Sequence, residues 1–214
     1  MGGVGAIDSQ VLDGLFSTAP MRAIWNDTAR VQAMLDFESA LARVQSRLGV
    51  VPHGVGDAIG EKARVDLYDF GEIGEKVPLG GNVAIPLVKA LTAKVEGEAA
   101  GYVHWGATSQ DVIDTGMMLQ ARNGLRLLKK DLLRLGEAAA VLIDCHRKTT
   151  MVGRGFLQQG IPSVFGLKTA TWLDSVSRMI ARIDGVIDAF ACAAIWRCGR
   201  HARLAGGARG AGSR

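Results

Sequence analysis

The chain has 214 residues, of which 48% are hydrophobic and only 6% aromatic, and it carries a formal net charge of +4. Its apolar residues are mostly Ala, Leu, Val and Ile, which favours helices over an aromatic-rich β-sandwich. It contains no apolar run of about 18 residues, the length that crosses a bilayer. Its first residues lack the basic and hydrophobic regions of a signal peptide. We therefore predict a cytoplasmic protein without a membrane partner.

The positive charge is concentrated at the end of the chain. Residues 191–214 contain five Arg and no acidic residue, and the other residues carry 20 basic against 21 acidic side chains. A nearly neutral body is not the basic surface that binds nucleic acid, so no nucleic-acid partner is predicted. The three cysteines, Cys145, Cys192 and Cys198, form neither a disulfide framework nor a metal-ligand spacing. No metal site is therefore expected.

A helix is predicted after Asn26 or Asp27, either of which can cap it. Apolar side chains then recur at helical spacing, at Val31, Met34, Leu35, Leu41, Val44 and Leu48. Gly49 and Pro52 end this helix. Residues 54–80 are expected to form shorter helical pieces broken by Gly and Pro.

The next helix is predicted near Pro86, which fits a first helical turn. Three apolar residues then lie on one face of it: Leu87, Leu91 and Val95. We place the end of a small N-terminal helical domain after this helix. That domain comprises residues 1–100.

Long helices are predicted for the rest of the chain. No proline occurs between Thr108 and Pro162, and the apolar residues in between suit a helix of about 35–40 residues. The Gly-rich segment Thr149–Ser163 is predicted to be a turn, followed by a second long helix to about Ala189. Long helices with an apolar stripe need other long helices to cover them. The predicted fold is therefore all-α, with residues 101–190 forming part of a long-helix bundle.

A polar loop enters the first long helix within residues 102–122. Thr108 is a good N-cap, and Asp111 lies three residues on, where its carboxylate can bond the backbone N–H of the cap. The helix would begin at Ser109, and its free N–H groups would face the loop that carries His104. Such a helix start attracts carboxylates and phosphates. The same spacing is also a common capping signature, so a purely structural role stays open.

Residues 104–115 resemble the H-x-G-x-T-S-x-D-x-x-D-T region of the fumarase/aspartase/adenylosuccinate lyase superfamily. Within it, the 3-carboxy-cis,cis-muconate cycloisomerase family is the most similar. Other segments resemble the same family in the same order: 16–21, 29–36, 81–88, 151–154, 157–159 and 165–168. Several separated motifs in one order are far more specific than a single motif.

The resemblance implies a fumarase-like helical bundle and a small polycarboxylate substrate, and no cofactor. It also implies a homotetramer whose sites combine segments of three subunits. Cycloisomerases add a substrate carboxylate across a double bond and close a lactone, which needs fixed donors and a proton source. The substrate-binding residues implied by the matching motifs are His104, Thr108, Ser109, Gln158 and Asn82.

Two departures from the family pattern bear on the activity. Gly155 and Phe156 stand where most of the superfamily has Thr-His and where cycloisomerases have Thr-Trp. The aromatic side chain favours conversion of 3-carboxy-cis,cis-muconate to a carboxymuconolactone, a step of protocatechuate degradation, over an adenylosuccinate- or argininosuccinate-type lyase. The loop G-S-S-x-M-P-x-K-x-N-P, which carries the expected catalytic Ser, does not occur in this sequence. A non-catalytic helical fragment that only self-associates is therefore a further alternative.

Residues 191–214 are Arg- and Gly-rich, and we predict no helical pattern there. Codons that encode Ala193–Leu204 can, read one nucleotide later, encode Leu-Gln-Phe-Gly-Gly-Ala-Ala-Gly-Thr-Leu-Ala. The family has a very similar segment after this helix. We hypothesise a frameshift near residue 191 that leaves the chain incomplete and inactive, and the DNA sequence can test it.

Overall fold

The computed structural model describes the backbone of residues 13–206 and the side chains of residues 14–189. The all-α class is confirmed, with one small β-hairpin added. The elements in chain order are α1 (Asp13–Phe16), α2 (Ala19–Trp25), α3 (Asp27–Arg47), α4 (Val55–Lys62), α5 (Phe70–Gly80), α6 (Ala84–Lys94), α7 (Ser109–Cys145), β1 (Thr150–Gly155), β2 (Gln158–Val164) and α8 (Phe165–Gly206). Short 3-10 helices lie at Val65–Leu67 and Gly97–Tyr102.

Two compact units divide the chain. One comprises the residues up to Asn123 and those from Ala191 onward, and the other comprises Gly124–Phe190. The domain boundary near residue 101 stays a prediction. None of the helices in the described range combines the length and the apolar character needed to cross a membrane.

The core of the first unit surrounds α3. Asn26 is the cap of this helix, because its Oδ1 accepts a hydrogen bond of 2.8 Å from the backbone N–H of Ala29. Met34 and Leu35 are buried, and so are side chains of α4 and α6: Ile59, Leu87 and Leu91. This apolar contact is what stabilises the unit.

The apolar residues that the sequence predicts for one face of α3 do not match its buried face at the C-terminal end of the helix. Val44 and Leu48 are exposed, whereas Ala42 is buried. The reason is the close approach of α4, since a Cβ on Gly56 would lie 2.7 Å from the Cα of Arg43. That contact covers the side of α3 at residues 42 and 43 and leaves the other side in solvent.

Helix α6 follows its prediction, with Leu87, Leu91 and Val95 buried on one face. Helix α5 does not, because it runs through Pro78, where the sequence predicts a break. Pro78 lies in the last turn, so its missing N–H removes only one bond of the helical ladder. The helix then ends at Gly81, whose φ of 74° suits a glycine cap.

The second unit contains a region where the predicted structure type is wrong. Residues 150–164 form an antiparallel hairpin of β1 and β2, where the sequence predicts a turn. Phe156 and Leu157 make its two-residue loop, and Leu157 adopts a φ of 56°. A bulge lies between Val152 and Arg154. Three glycines and a proline within the strands hide the usual alternation of apolar and polar residues.

The two long helices are present. Helix α7 has 37 residues, as predicted, and is roughly 55 Å long at 1.5 Å per residue. Within the second unit, Lys129 of α7 contacts Asp184 of α8 at 2.6 Å. Several side chains of both helices are exposed in this chain, among them Leu128, Leu133, Leu135, Val141, Trp172 and Met179.

The end of α8 differs from its prediction. The helix continues to Gly206, whereas the sequence predicts that the helical pattern stops near residue 191. Ala and Leu in this stretch have high helix propensity, and no proline interrupts it. Residues 207–214 of the predicted tail lie outside the described residues.

Candidate functional site

The loop before α7 is fixed to α3 at two points. The first is Gln45, whose Nε2 donates a hydrogen bond of 2.7 Å to the backbone carbonyl of Trp105. The Trp105 ring also packs against Tyr102, with 5.5 Å between the ring centroids. The loop turns tightly at Gly106, whose φ of 72° is favourable only for residues without a bulky side chain.

The second point joins His104 to a carboxylate of the core. The Nδ1 atom of His104 lies 2.6 Å from Oε1 of Glu38. The Glu38 side chain is 1% exposed and that of His104 is 18% exposed. His104 has a φ of 61°, a left-handed conformation that is uncommon for residues other than Gly, although His, Asn and Asp adopt it more often than most. Such an outlier persists only where its surroundings hold it.

The predicted bond between the Asp111 carboxylate and the backbone N–H of the cap residue Thr108 is confirmed. The backbone N–H of Thr108 donates to Oδ2 of Asp111 at 3.1 Å. The backbone N–H of Asp111 in turn donates to the carbonyl of Thr108 at 2.9 Å. Asp111 is buried, Thr108 is exposed and Ser109 is half-buried. Two hydroxyl groups therefore lie at the positive end of a 37-residue helix.

Asn82 caps the start of α6. Its Oδ1 accepts hydrogen bonds from the backbone N–H groups of Ala84 and Ile85, at 3.0 and 3.2 Å. These are two of the free donors at a helix start. The carbonyl side of the amide is thus occupied, and the Nδ2 group is the part of Asn82 that is suited to a ligand oxygen.

Gln158 belongs to the second unit. It is the first residue of β2, and it is exposed. Phe156, beside it in the loop of the hairpin, is 90% exposed. His104, Thr108 and Ser109 thus lie within six residues of each other at the entry to α7, whereas Asn82 caps α6. That Asn82 and Gln158 join them in one site stays a prediction.

The sequence analysis missed Glu38 as a site residue. Its position carries a signal, because it continues the helical spacing of Met34 and Leu35 on the buried side of α3. A carboxylate at such a position is unusual, since buried acidic side chains are nearly always paired. The partner is 66 residues away, so no local pattern points to it.

Two surface cavities lie apart from the predicted residues. One of about 300 Å³ is lined by Arg43, Arg47 and His53 among others, and one of about 350 Å³ lies along the hairpin and the start of α8. None of the predicted site residues lines either cavity. Within the described residues, no three His, Cys, Asp or Glu side chains are grouped to hold a metal ion. That the protein needs no metal or cofactor stays a prediction.

Thr108 and Ser109 thus lie at the start of a long helix, next to a histidine that contacts a buried acid. The sequence model of the lyase family matches residues 16–196, and the chain belongs to this family. The 3-carboxy-cis,cis-muconate cycloisomerase of Pseudomonas aeruginosa is 46% identical to it over 178 residues, covering 82% of this chain and 39% of that protein.

Solved structures agree with this assignment. The 3-carboxy-cis,cis-muconate lactonizing enzyme from Pseudomonas putida matches with a TM-score of 0.78 and 40% identity, over 83% of this chain and 40% of that one. A fumarate lyase from a Mesorhizobium species matches with a TM-score of 0.74 and 31% identity, over 86% and 47%. The chain spans about two fifths of the length of the curated relatives that it matches.

Proposed function

We propose that this chain serves in the cyclisation of 3-carboxy-cis,cis-muconate to a carboxymuconolactone, a step of protocatechuate degradation. The observation that carries the proposal is the entry to α7, where Asp111 caps the helix at Thr108 and His104, four residues earlier, contacts the buried acid Glu38. The similarity to enzymes named for this reaction supports the choice of substrate. The proposal places the protein in the cytoplasm and in a homo-oligomer, a tetramer by family resemblance.

The reaction asks for a site that binds carboxylates. One substrate carboxylate forms a C–O bond to a carbon of a conjugated double bond, and the π electrons move toward a second carboxylate. The adjacent carbon then accepts a proton. Donors held at the place where charge develops stabilise such a transition state. The hydroxyls of Thr108 and Ser109 and the amides at the start of α7 are donors of this kind. The proton donor is not among the residues assigned.

The test uses the 214-residue chain and a chimera. In the chimera, residues 16–190 replace the corresponding part of the Pseudomonas putida lactonizing enzyme. We expect the chimera to consume 3-carboxy-cis,cis-muconate, and His104→Asn in it to lower kcat/KM by at least about tenfold, or roughly 1.4 kcal/mol. If the chimera cleaves adenylosuccinate or argininosuccinate substantially and does not turn over the muconate, the proposed substrate is wrong.

A non-catalytic role is the second candidate, and the exposed leucines of α7 favour it. Apolar surface of this kind promotes association between chains. The same preparation of the 214-residue chain is therefore measured by light scattering. Self-association without muconate turnover, together with an inactive chimera, would favour the non-catalytic role. An active chimera would favour the enzyme.

A further inference from the structure

Glu38 is a buried acid that the proposed function does not use. It lies on the core side of α3 and is 1% exposed. Its Oε1 lies 2.6 Å from Nδ1 of His104, and its Oε2 has no hydrogen-bond partner among the described residues. A carboxylate in such a place is costly unless a donor faces it. The ring of His104 is the donor that the structure provides.

The chemistry of the pair decides which nitrogen of the ring carries a proton. An ionised carboxylate can only accept hydrogen bonds, so the contact requires a proton on Nδ1. In a neutral imidazole only one nitrogen is protonated, and its partner therefore determines the tautomer. Nε2 is then left with a lone pair when the ring is neutral, and with a proton to donate when the ring is charged.

The backbone around His104 also indicates that the position of its ring is fixed. His104 adopts a φ of 61°, and Gln45 holds the next residue, Trp105, through its carbonyl. Glu38 and Gln45 are seven residues apart, which places them two turns apart on one face of α3. One face of a core helix thus fixes both the main chain of the loop and the ring of its histidine.

We propose that Glu38 is a positioning residue for His104. It keeps a proton on Nδ1 with Nδ1 toward the core, and it leaves Nε2 as the nitrogen that donates to a carboxylate of the substrate when the ring is charged. The second part of this statement rests on the proposed function, and the first part does not. A histidine that merely fills space in the loop would have no fixed tautomer.

The test is nitrogen NMR of the 214-residue chain labelled with 15N-histidine. The chain has four histidines, and His104→Asn assigns the resonance of interest. We expect Nδ1 of His104 to carry a proton at every pH at which the chain is folded. In Glu38→Met, which has similar size and no acceptor, the neutral ring should change to the Nε2–H form. Asp36→Asn is the matched control, because it removes an exposed acid of the same helix.

The wild-type spectrum alone can overturn the proposal. An unprotonated Nδ1 in the folded chain would do so, and so would an identical ring signature in Glu38→Met. Titration with 3-carboxy-cis,cis-muconate then tests the substrate contact, and we expect it to shift the Nε2 resonance of the wild type. A ring with a protonated Nδ1 that does not respond to the muconate would contradict the proposed function and would support the role of Glu38.

Discussion

Replacing His104 by alanine should destabilise the fold more than replacing a surface histidine would. In His104→Ala the carboxylate of Glu38, 1% exposed, loses the partner that lies 2.6 Å away. Breaking a buried charged pair from one side costs about 3–5 kcal/mol, since it leaves a charge without compensation. The ring itself is 18% exposed, so water can enter its place. We therefore expect the free energy of unfolding to fall by about 3 kcal/mol, the lower end of that range.

Replacing the acid of the pair, Glu38, should lower the free energy of unfolding by less. Glu38→Met removes the acid together with its unpartnered Oε2 and fills most of its volume. The neutral ring of His104 can then carry its proton on Nε2, which leaves no donor facing the core, so we expect a loss of about 1 kcal/mol, the net worth of one hydrogen bond. Adding Glu38→Met to His104→Ala should consequently recover about 1–2 kcal/mol of the stability that the single variant lost.

Urea unfolding of the four proteins, followed by far-UV circular dichroism, measures this cycle. Asp36→Asn, an exposed acid of the same helix, is the control and should change the free energy of unfolding by less than about 0.5 kcal/mol. Simple addition of the two single effects in the double variant would refute the reasoning, because it would mean that the ring and the carboxylate do not depend on each other.

Three further predictions concern other residues of the two units. Asp111→Ala should lower the free energy of unfolding by about 1–2 kcal/mol, because it removes the acceptor of the Thr108 N–H at the start of α7. Burial raises the pKa of Tyr68 to about 12 from 10.0. The folded state therefore holds this proton more tightly, and about 2 kcal/mol of the stability present below pH 10 should be lost by pH 12. Urea unfolding at both pH values should show that loss in Tyr102→Phe and not in Tyr68→Phe. Gly136→Ala should raise the thermal midpoint, since the new Cβ has only ordinary contacts and Ala is favoured over Gly by about 1 kcal/mol in a helix.

The helices with local signals could be predicted from the sequence. Asn26 bonds Ala29 and Asp111 bonds Thr108, in each case three positions away, so the starts of α3 and α7 can be inferred from the chain itself. The hairpin of residues 150–164 could not, because its strands are held by pairing with each other and contain the residues that usually mark turns. Its glycine at 153 is required by the pairing, since a Cβ there would lie 2.2 Å from the carbonyl of Ile161.

The candidate site also depends partly on residues that are close in sequence and partly on one that is distant. The order of His104, Thr108 and Ser109 along the chain indicates that carboxylates can bind before α7, because each contributes within one turn. What the histidine can do there depends on Glu38, which is 66 residues away and reaches it only when α3 packs beneath the loop. Packing of α3 therefore contributes to the chemistry as well as to stability. A substitution that shifts α3, such as one at Gly56, should alter the protonation of His104 before it unfolds the chain, because the tautomer depends on a single short contact.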